Sequence, residues 1–347
     1  MKIILISLMI IYCGIVIFPE KVADLPELNK PHAIECDGEN FYIVDDTTAH
    51  IYSIKGCKHL GSFGRRGEGP YELNTPFYSP AKILLLNDRV MLSSDYKLVV
   101  YTKKGKPIDE KVFRQGYDDL IPFKNNYVGV DVEVNERLLR TSKILLISPD
   151  FKTKKTLITF VNPPIGIPNR MGWALPLDTF INVANDNLYV FNMQQDKEIF
   201  VFNSEGKQIK RLTVALPKIK VTEAVKNDMV DYLKSIGYGK VLRVRNEEIK
   251  NRCFFREYLS TAKLCKIKDG IIQLETYERK DGKYQIVLMD LNGKIIKKLF
   301  LPIPTYGLIE GSRFFSYCFD KNTYYYLVDN DETENWELHK IVLDKIK

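Results

Sequence analysis

The chain has 347 residues, 12% of them aromatic, and a formal charge of +7. Chains of this length often divide into two domains, but closed all-β folds exceed that limit as one, and the abundance of Ile, Val and Tyr favours strands. The positive charge lies in mixed-sign segments without a basic block of five or six residues, which argues against nucleic acid as a partner.

Residues 1–19 read as a signal peptide or membrane anchor, and residues 20–347 as the exported domain. Lys2 precedes the mostly apolar run Ile3 to Phe18, which ends at Pro19-Glu20-Lys21. The run is long for the apolar core of a signal and short for a spanning helix, so cleavage and retention both stay open. Cys13-Gly14 resembles the acceptor of a bacterial lipoprotein signal, although Tyr12 stands where that family has a small residue. No second apolar span brings the chain back, which places it in the periplasm or on the cell surface, free or tethered through residues 3–18.

From Cys36 to Gly64 the chain reads as one blade of a β-propeller. Two alternating runs, Phe41 to Asp45 and His50 to Ile54, lie between turn signals at Asp37-Gly38-Glu39-Asn40 and Lys55-Gly56-Cys57-Lys58. The same strand, turn, strand, strand, turn, strand grammar returns over 81–113, 120–160, 179–216 and 261–301, and stops after three strands in 313–343. A wider middle in the third copy predicts a longer hairpin between its second and third strands.

The turns supply the count. Inner hairpins carry DGEN, NDR, KNN, NDN, KDG or DKN, whereas outer hairpins carry only IKGC, KKGK, SPDFK, SEGK or LNGK. Asn, Asp and Gly at such places accept the positive φ that tight turns demand. The fold class is therefore all-β, a six-bladed propeller whose sixth blade lacks an outer strand. Because an open sheet edge invites aggregation, Lys21 to Leu28 is predicted to close that blade.

An insertion, residues 217–256, falls between blades four and five. Thr222 is positioned to cap a helix with apolar Val225, Met229, Leu233 and Ile236 at helical spacing, stopped by Gly237; a second helical piece is expected over Asn246 to Glu257. It serves either as a lid over the central channel or as packing against a blade edge. The five cysteines beyond Cys13 include no CxxC pair; Cys36, Cys265 and Cys318 are expected in equivalent slots on innermost strands, as small buried apolar groups.

The run Gly61-Ser62-Phe63-Gly64-Arg65-Arg66-Gly67-Glu68-Gly69-Pro70, then Glu72-Leu73-Asn74-Thr75-Pro76, resembles the Gly-rich connector of NHL-repeat propellers. Val44-Asp45 and His50-Ile51 match that family's next signature, blade one closely and the others loosely. The whole chain is similar to exported six-bladed propellers of bacteria, a resemblance that implies fold and a binding role.

In a propeller the first-to-second and third-to-fourth strand hairpins share one face, and the second-to-third hairpins and blade-to-blade links share the other. Here the first face has tight turns throughout and the second has the long connections, where binding usually resides. The expected binding residues are Arg65, Arg66, Glu68, Arg170, Trp173, Arg243, Arg245 and Arg252, a set tilted toward anionic partners. Trp173, Tyr71, Tyr78, Tyr238 and Tyr306 are placed to stack on a sugar ring or peptide.

These features suggest a non-enzymatic binding or scaffolding propeller of the cell envelope, with a protein, peptide or glycan partner and no cofactor. The alternative is a calcium-dependent, lactonase-like hydrolase. Asp45, Asp95, Asp131, Asn192, Glu275 and Asp329 each end a second strand with a side-chain oxygen, the donor type calcium takes. Such residues equally cap their own turns. No GxSxG or HExxH supports a catalytic residue; His32 and His50, both in blade one, are the one local histidine pair expected.

Overall fold

The computed structural model describes residues 19–75, 81–113, 116–134, 139–164, 166–167, 170–171, 178–235, 245–253, 255–303 and 316–343. Blade one is the antiparallel meander β2 (Pro31–Cys36), β3 (Asn40–Asp45), β4 (Thr48–Ser53) and β5 (His59–Phe63). Blade two follows with β6 (Lys82–Leu85), β7 (Arg89–Ser93), β8 (Lys97–Thr102) and β9 (Pro107–Val112). Blade three has β10 (Asp119–Phe123), β11 (Asn126–Val134), β12 (Leu139–Ile147) and β13 (Lys154–Pro164), and its long β11–β12 hairpin is the wider middle expected. A two-stranded ribbon, β14 (Gly166–Ile167) and β15 (Arg170–Met171), leads to blade four: β16 (Thr179–Ala184), β17 (Asn187–Asn192), β18 (Glu198–Phe202) and β19 (Gln208–Thr213). Blade five is β20 (Leu264–Lys268), β21 (Ile271–Lys280), β22 (Lys283–Asp290) and β23 (Ile295–Leu301).

Blade six contains β24 (Tyr317–Asp320), β25 (Thr323–Asn330) and β26 (Asn335–Val342), and its outer strand is β1 (Glu20–Leu25). The register runs from Glu20 opposite Lys340 to Leu25 opposite Trp336. Side chains reinforce the seam: Lys21 Nζ lies 2.7 Å from Glu337 Oε1, and Trp336 Nε1 donates to the Asn29 carbonyl at 3.0 Å. The two ends of the domain thus form one sheet, as the missing sixth outer hairpin required.

The second and third strands of a blade, such as β3, bury residues on both sides, and each side meets a neighbouring blade. Phe41 and Ile43 pack with Tyr325, Leu327 and Trp336 of blade six, whereas Tyr42 and Val44 pack with Val90, Leu92 and Val99 of blade two. Four further cores fill the remaining gaps, for six in total. Burial on both faces explains why these strands read as nearly continuous apolar runs. Most turns put Asn, Asp or Gly at positive φ as expected, with Gly38, Asn185, Asp186 and Asp269 in inner hairpins and Gly56, Gly105, Gly206 and Gly293 in outer ones, but Lys124, Lys321 and Phe151 take that conformation in three hairpins.

Helix α1 (Glu223–Ser235) lies in the link from β19 to β20. Thr222 caps it, its Oγ1 accepting from the Val225 amide at 3.4 Å. Met229, Val230 and Leu233 are buried in the core between the β16–β19 and β20–β23 sheets, together with Ile249. Val225 is only partly buried, and Ile236 and Gly237 lie outside the described residues. The second helical piece is shorter than expected: a 3₁₀ turn, Asn246–Glu248, then one helical turn, Ile249–Arg252, before Cys253 turns extended.

Candidate functional site

The loop-bearing face is built first from the Gly64–Thr75 connector, which folds against itself. Gly64 sits at φ +81, and an added Cβ would lie 2.5 Å from the Thr47 carbonyl oxygen, so the position demands glycine on both counts. The Leu73 amide then donates to the Arg65 carbonyl, Gly67 donates to the Leu73 carbonyl, and the Leu73 side chain is buried against blades one and two. Within this fold the expected binding residues are paired. Arg66 clamps Asp46 with Nε at 3.0 Å and Nη2 at 2.6 Å and reaches the Thr75 carbonyl, Arg65 Nε lies 2.7 Å from Glu72, and Glu68 accepts from Asn74. The exposed Arg245 pairs with Glu248 at 2.7 Å. These arginines therefore hold loops in shape with carboxylates already beside them.

Arg170 lies in β15, whose backbone packs against the Ile249–Arg252 turn, so the structure brings those two segments together. The side chains of Arg170 and Arg252 are not described, and Trp173, Arg243, Tyr78, Tyr238 and Tyr306 lie outside the described residues.

One expected aromatic is placed. Tyr71 takes φ +57, a left-handed conformation unusual for a bulky residue, and is held there from both sides by blade two. Its amide donates to Glu110 Oε2 at 2.6 Å and its carbonyl accepts from Tyr101 Oη at 3.0 Å. Glu110 also pairs with Lys97 at 2.9 Å, and Lys97 Nζ donates to the Gly69 carbonyl. Beside that pair stand Tyr96, next to Lys97 in the β7–β8 turn, and Val112, opposite Lys97 in the ladder. Tyr71, Tyr96 and Val112 are 39%, 56% and 71% exposed. Sequence reasoning missed Tyr96 and Val112; the signal was an aromatic at the tip of an otherwise polar turn, Ser94-Asp95-Tyr96-Lys97.

The innermost strands enclose a channel cavity of about 140 Å³, lined by residues such as Glu35, Lys82, Asp119, Asp178, Asn182 and Lys266. Its polar groups tie blades together. Lys266 forms an ion pair with Glu35 across blade six, Asn182 bridges the Cys265 carbonyl and the Ile267 amide at 3.2 and 3.0 Å, and His32 Nε2 meets the Ala81 carbonyl at 3.1 Å.

Three of the six strand-end oxygens already have protein partners of their own. Asp45 accepts from the Asn29 and Lys30 amides at 2.6 and 3.0 Å, Asn192 from the Gln194 and Gln195 amides, and Glu275 pairs with Lys263 and Tyr317. Burial, then the Glu275 charge, pushes the Tyr317 phenol well above its ordinary value. Asp131 is buried, while Asp95 sits in the β7–β8 turn and Asp329 opposite Trp336. Among the described residues no three His, Cys, Asp or Glu groups are arranged to hold a metal ion.

Histidine and cysteine pairing also differs from expectation. His50 stacks near His59 with ring centroids 5.5 Å apart, because β4 and β5 are ladder neighbours; His32 sits instead on the innermost strand. Cys36, Cys265 and Cys318 occupy different rungs, opposite Phe41, Leu274 and Tyr325. Cys36 and Cys318 meet in the seam between blades six and one, and Lys268 Nζ stands 3.0 Å from Cys36 Sγ. The Cys318 hydrogen bond and the Lys268 ammonium hold the Cys36 thiol below its ordinary value against burial, whereas burial pushes Cys265 up.

No family model and no curated protein matches the sequence. Among solved structures the chain is similar to a member of the DUF4221 family from Bacteroides vulgatus, at 11% identity over 93% of this chain and 94% of that one, with TM-score 0.46. It is similar also to a protein of unknown function from Bacteroides caccae, at 12% identity over 78% and 81% of the two chains, TM-score 0.43. A third likeness is the β-propeller domain of Cps50 (Swd1) from Myceliophteria thermophila, at 7% identity over 93% and 99%, TM-score 0.42. At these identities no activity carries over, and the propeller stands on its own six sheets and six inter-blade cores.

Proposed function

We propose that the protein is a non-enzymatic docking propeller of the cell envelope, holding a protein partner on its loop-bearing face. The observation that carries this is Tyr71. A non-glycine residue at positive φ costs on the order of 1–3 kcal/mol and persists only where its surroundings enforce it. Glu110 and Tyr101 hold the backbone of Tyr71 in that conformation, on a residue that is 39% exposed. Tyrosines supply contact area at low entropic cost and are enriched at interfaces, and Tyr96 and Val112 are exposed beside the Lys97–Glu110 pair that holds Tyr71.

Cavity size supports the same reading. Pockets that enclose a ligand usually measure about 300–1,000 Å³, and the channel cavity of about 140 Å³ holds a few waters or one small polar group. That cavity is too small to enclose a ligand of ordinary size, which favours the surface as the place of recognition. Residues 3–18 supply export or a tether, and β1 begins at Glu20 beside the tight turns, so a retained tether directs the loop-bearing face away from the membrane.

A photo-cross-linking amino acid tests this in cells. Placed at 96 or 112 it is expected to trap one discrete protein adduct that disappears with Tyr71→Ala, while position 296, at the far end of blade five, traps none. No adduct at 96 and 112, or the same adduct from 296, overturns the proposal.

A further inference from the structure

The opposite face has chemistry that docking on the loop-bearing face leaves unused. In four blades the second residue of the outermost strand is a large aliphatic: Leu60 in β5, Ile108 in β9, Ile209 in β19 and Ile296 in β23. Each is at least 50% exposed, so packing does not account for them. Blades three and six have lysine in that slot, Lys155 and Lys21. All six positions sit at the end of the outer strand nearest the tight turns.

The turns just before them carry cations that end in water. Lys55, Lys58, Lys104, Lys106, Lys207 and Lys294 are exposed, and among the described residues none takes part in an ion pair. Lys103 and Lys124, by contrast, are neutralised by Asp37 and Asp186. β1 starts at the same rim, with Glu20 opposite Lys340 beside the tight turns, and the apolar run 3–18 precedes it in sequence.

We infer that the tight-turn face docks on an anionic phospholipid surface, with the unpaired lysines against the head groups and Leu60, Ile108, Ile209 and Ile296 at the acyl boundary. Lysine suits this role as a compact, strongly hydrated point charge that needs no fixed geometry, whereas arginine would be expected where a phosphate is gripped in a defined fork. The attraction decays within a Debye length, about 8–10 Å at ordinary ionic strength, so only a face lying flat on the bilayer uses all the lysines together. Interleaved aliphatic side chains gain from a lipid boundary and gain little from a polyanion dissolved in water, which separates this partner from nucleic acid. A single apolar anchor holds a protein to a membrane weakly, and a polybasic patch is the usual second signal. The docking patch around Tyr71 plays no part, so either idea can fail without the other.

The test uses the full chain mixed with vesicles containing brominated lipid, with a fluorescent amino acid replacing Leu60, Ile108, Ile209 or Ile296, or Tyr96 on the far face. Quenching is expected at the first four positions and absent at 96. It should fall at least about tenfold on vesicles of neutral lipid, and in the sextuple variant K55Q/K58Q/K104Q/K106Q/K207Q/K294Q. Circular dichroism verifies that this variant is folded, as substitutions of exposed, unpaired turn residues predict. Quenching equal at 96 and 108, quenching indifferent to lipid charge, or no quenching at any of the four positions overturns the inference.

Discussion

Replacing Leu25 by alanine tests whether ring closure is the stabilising device of this fold. Leu25 ends β1, is fully buried, and packs with Leu28, Ile34, Tyr52 and Trp336 where blade six meets blade one. A buried Leu→Ala change costs about 2–5 kcal/mol, and we expect about 3 kcal/mol because the seam also has polar bonds that limit collapse into the cavity. Unfolding entropy of about 2.1 cal/mol/K per residue, over roughly 320 residues, gives about 0.7 kcal/mol/K, hence a melting temperature lower by about 4 °C. Leu60→Ala, at an exposed site in β5, is the control and should move stability by less than about 0.5 kcal/mol. Calorimetry measures both, and amide exchange adds location: backbone groups of β26 that bond β1 should exchange faster in Leu25→Ala. A melting temperature equal to that of the control, or unchanged exchange in β26, would refute the closure argument.

Glu337 gives the seam an acid limit. Hydrogen bonds from Lys21, then His339 and Asn330, lower its carboxyl from 4.5 to about 2. A depressed folded pKa contributes stability above the unfolded value, lost as pH falls through the folded one. Urea midpoints should therefore fall between about pH 4.5 and 2, and Glu337→Gln should flatten that decline while lowering stability at neutral pH. Gly64→Ala forces a Cβ toward the Thr47 carbonyl at φ +81 and should cost at least about 2 kcal/mol in the same assay. In native protein a small alkylating agent should modify Cys36 faster than Cys265, and Lys268→Met should narrow the difference; equal rates in the wild type, or a difference untouched by Lys268→Met, read by mass spectrometry, would contradict the Lys268 contact. Adding calcium or a chelator should leave the melting temperature unchanged, because Asp45, Asn192 and Glu275 already have protein partners; a strong rise with calcium would reinstate the metal ring.

The sixfold ring was legible because turn chemistry and strand alternation are local. Asp269-Gly270 and Lys321-Asn322 announce hairpins whatever surrounds them, and five outer turns against six inner ones leave one sheet edge to be filled from elsewhere. What sits opposite what across blades is not local. The spacing that made Cys36, Cys265 and Cys318 look equivalent ignores register, and register places only Cys36 and Cys318 in the same seam. Likewise Arg65 and Arg66 look like free cations in sequence. Their carboxylates lie seven and twenty residues away, Glu72 within the loop that buried Leu73 anchors and Asp46 in the β3–β4 turn.

The insertion illustrates the same limit and decides a functional question. Helical spacing nominated Val225, Met229, Leu233 and Ile236 as its apolar stripe without saying what the stripe faces. In the fold the buried stripe is rotated to Met229, Val230 and Leu233, because the helix seats against Leu216 and Leu259 in the wedge between two blades. A helix whose apolar face completes an inter-blade core cannot lift from the channel without exposing that core, so packing accounts for it better than gating. Removing residues 218 to 256 would then unfold the neighbouring blades instead of opening a site, and loss of binding in such a deletion would say nothing about the loop-bearing face. Substitutions at Tyr71 and Tyr96, which are exposed and outside every inter-blade core, separate recognition from stability.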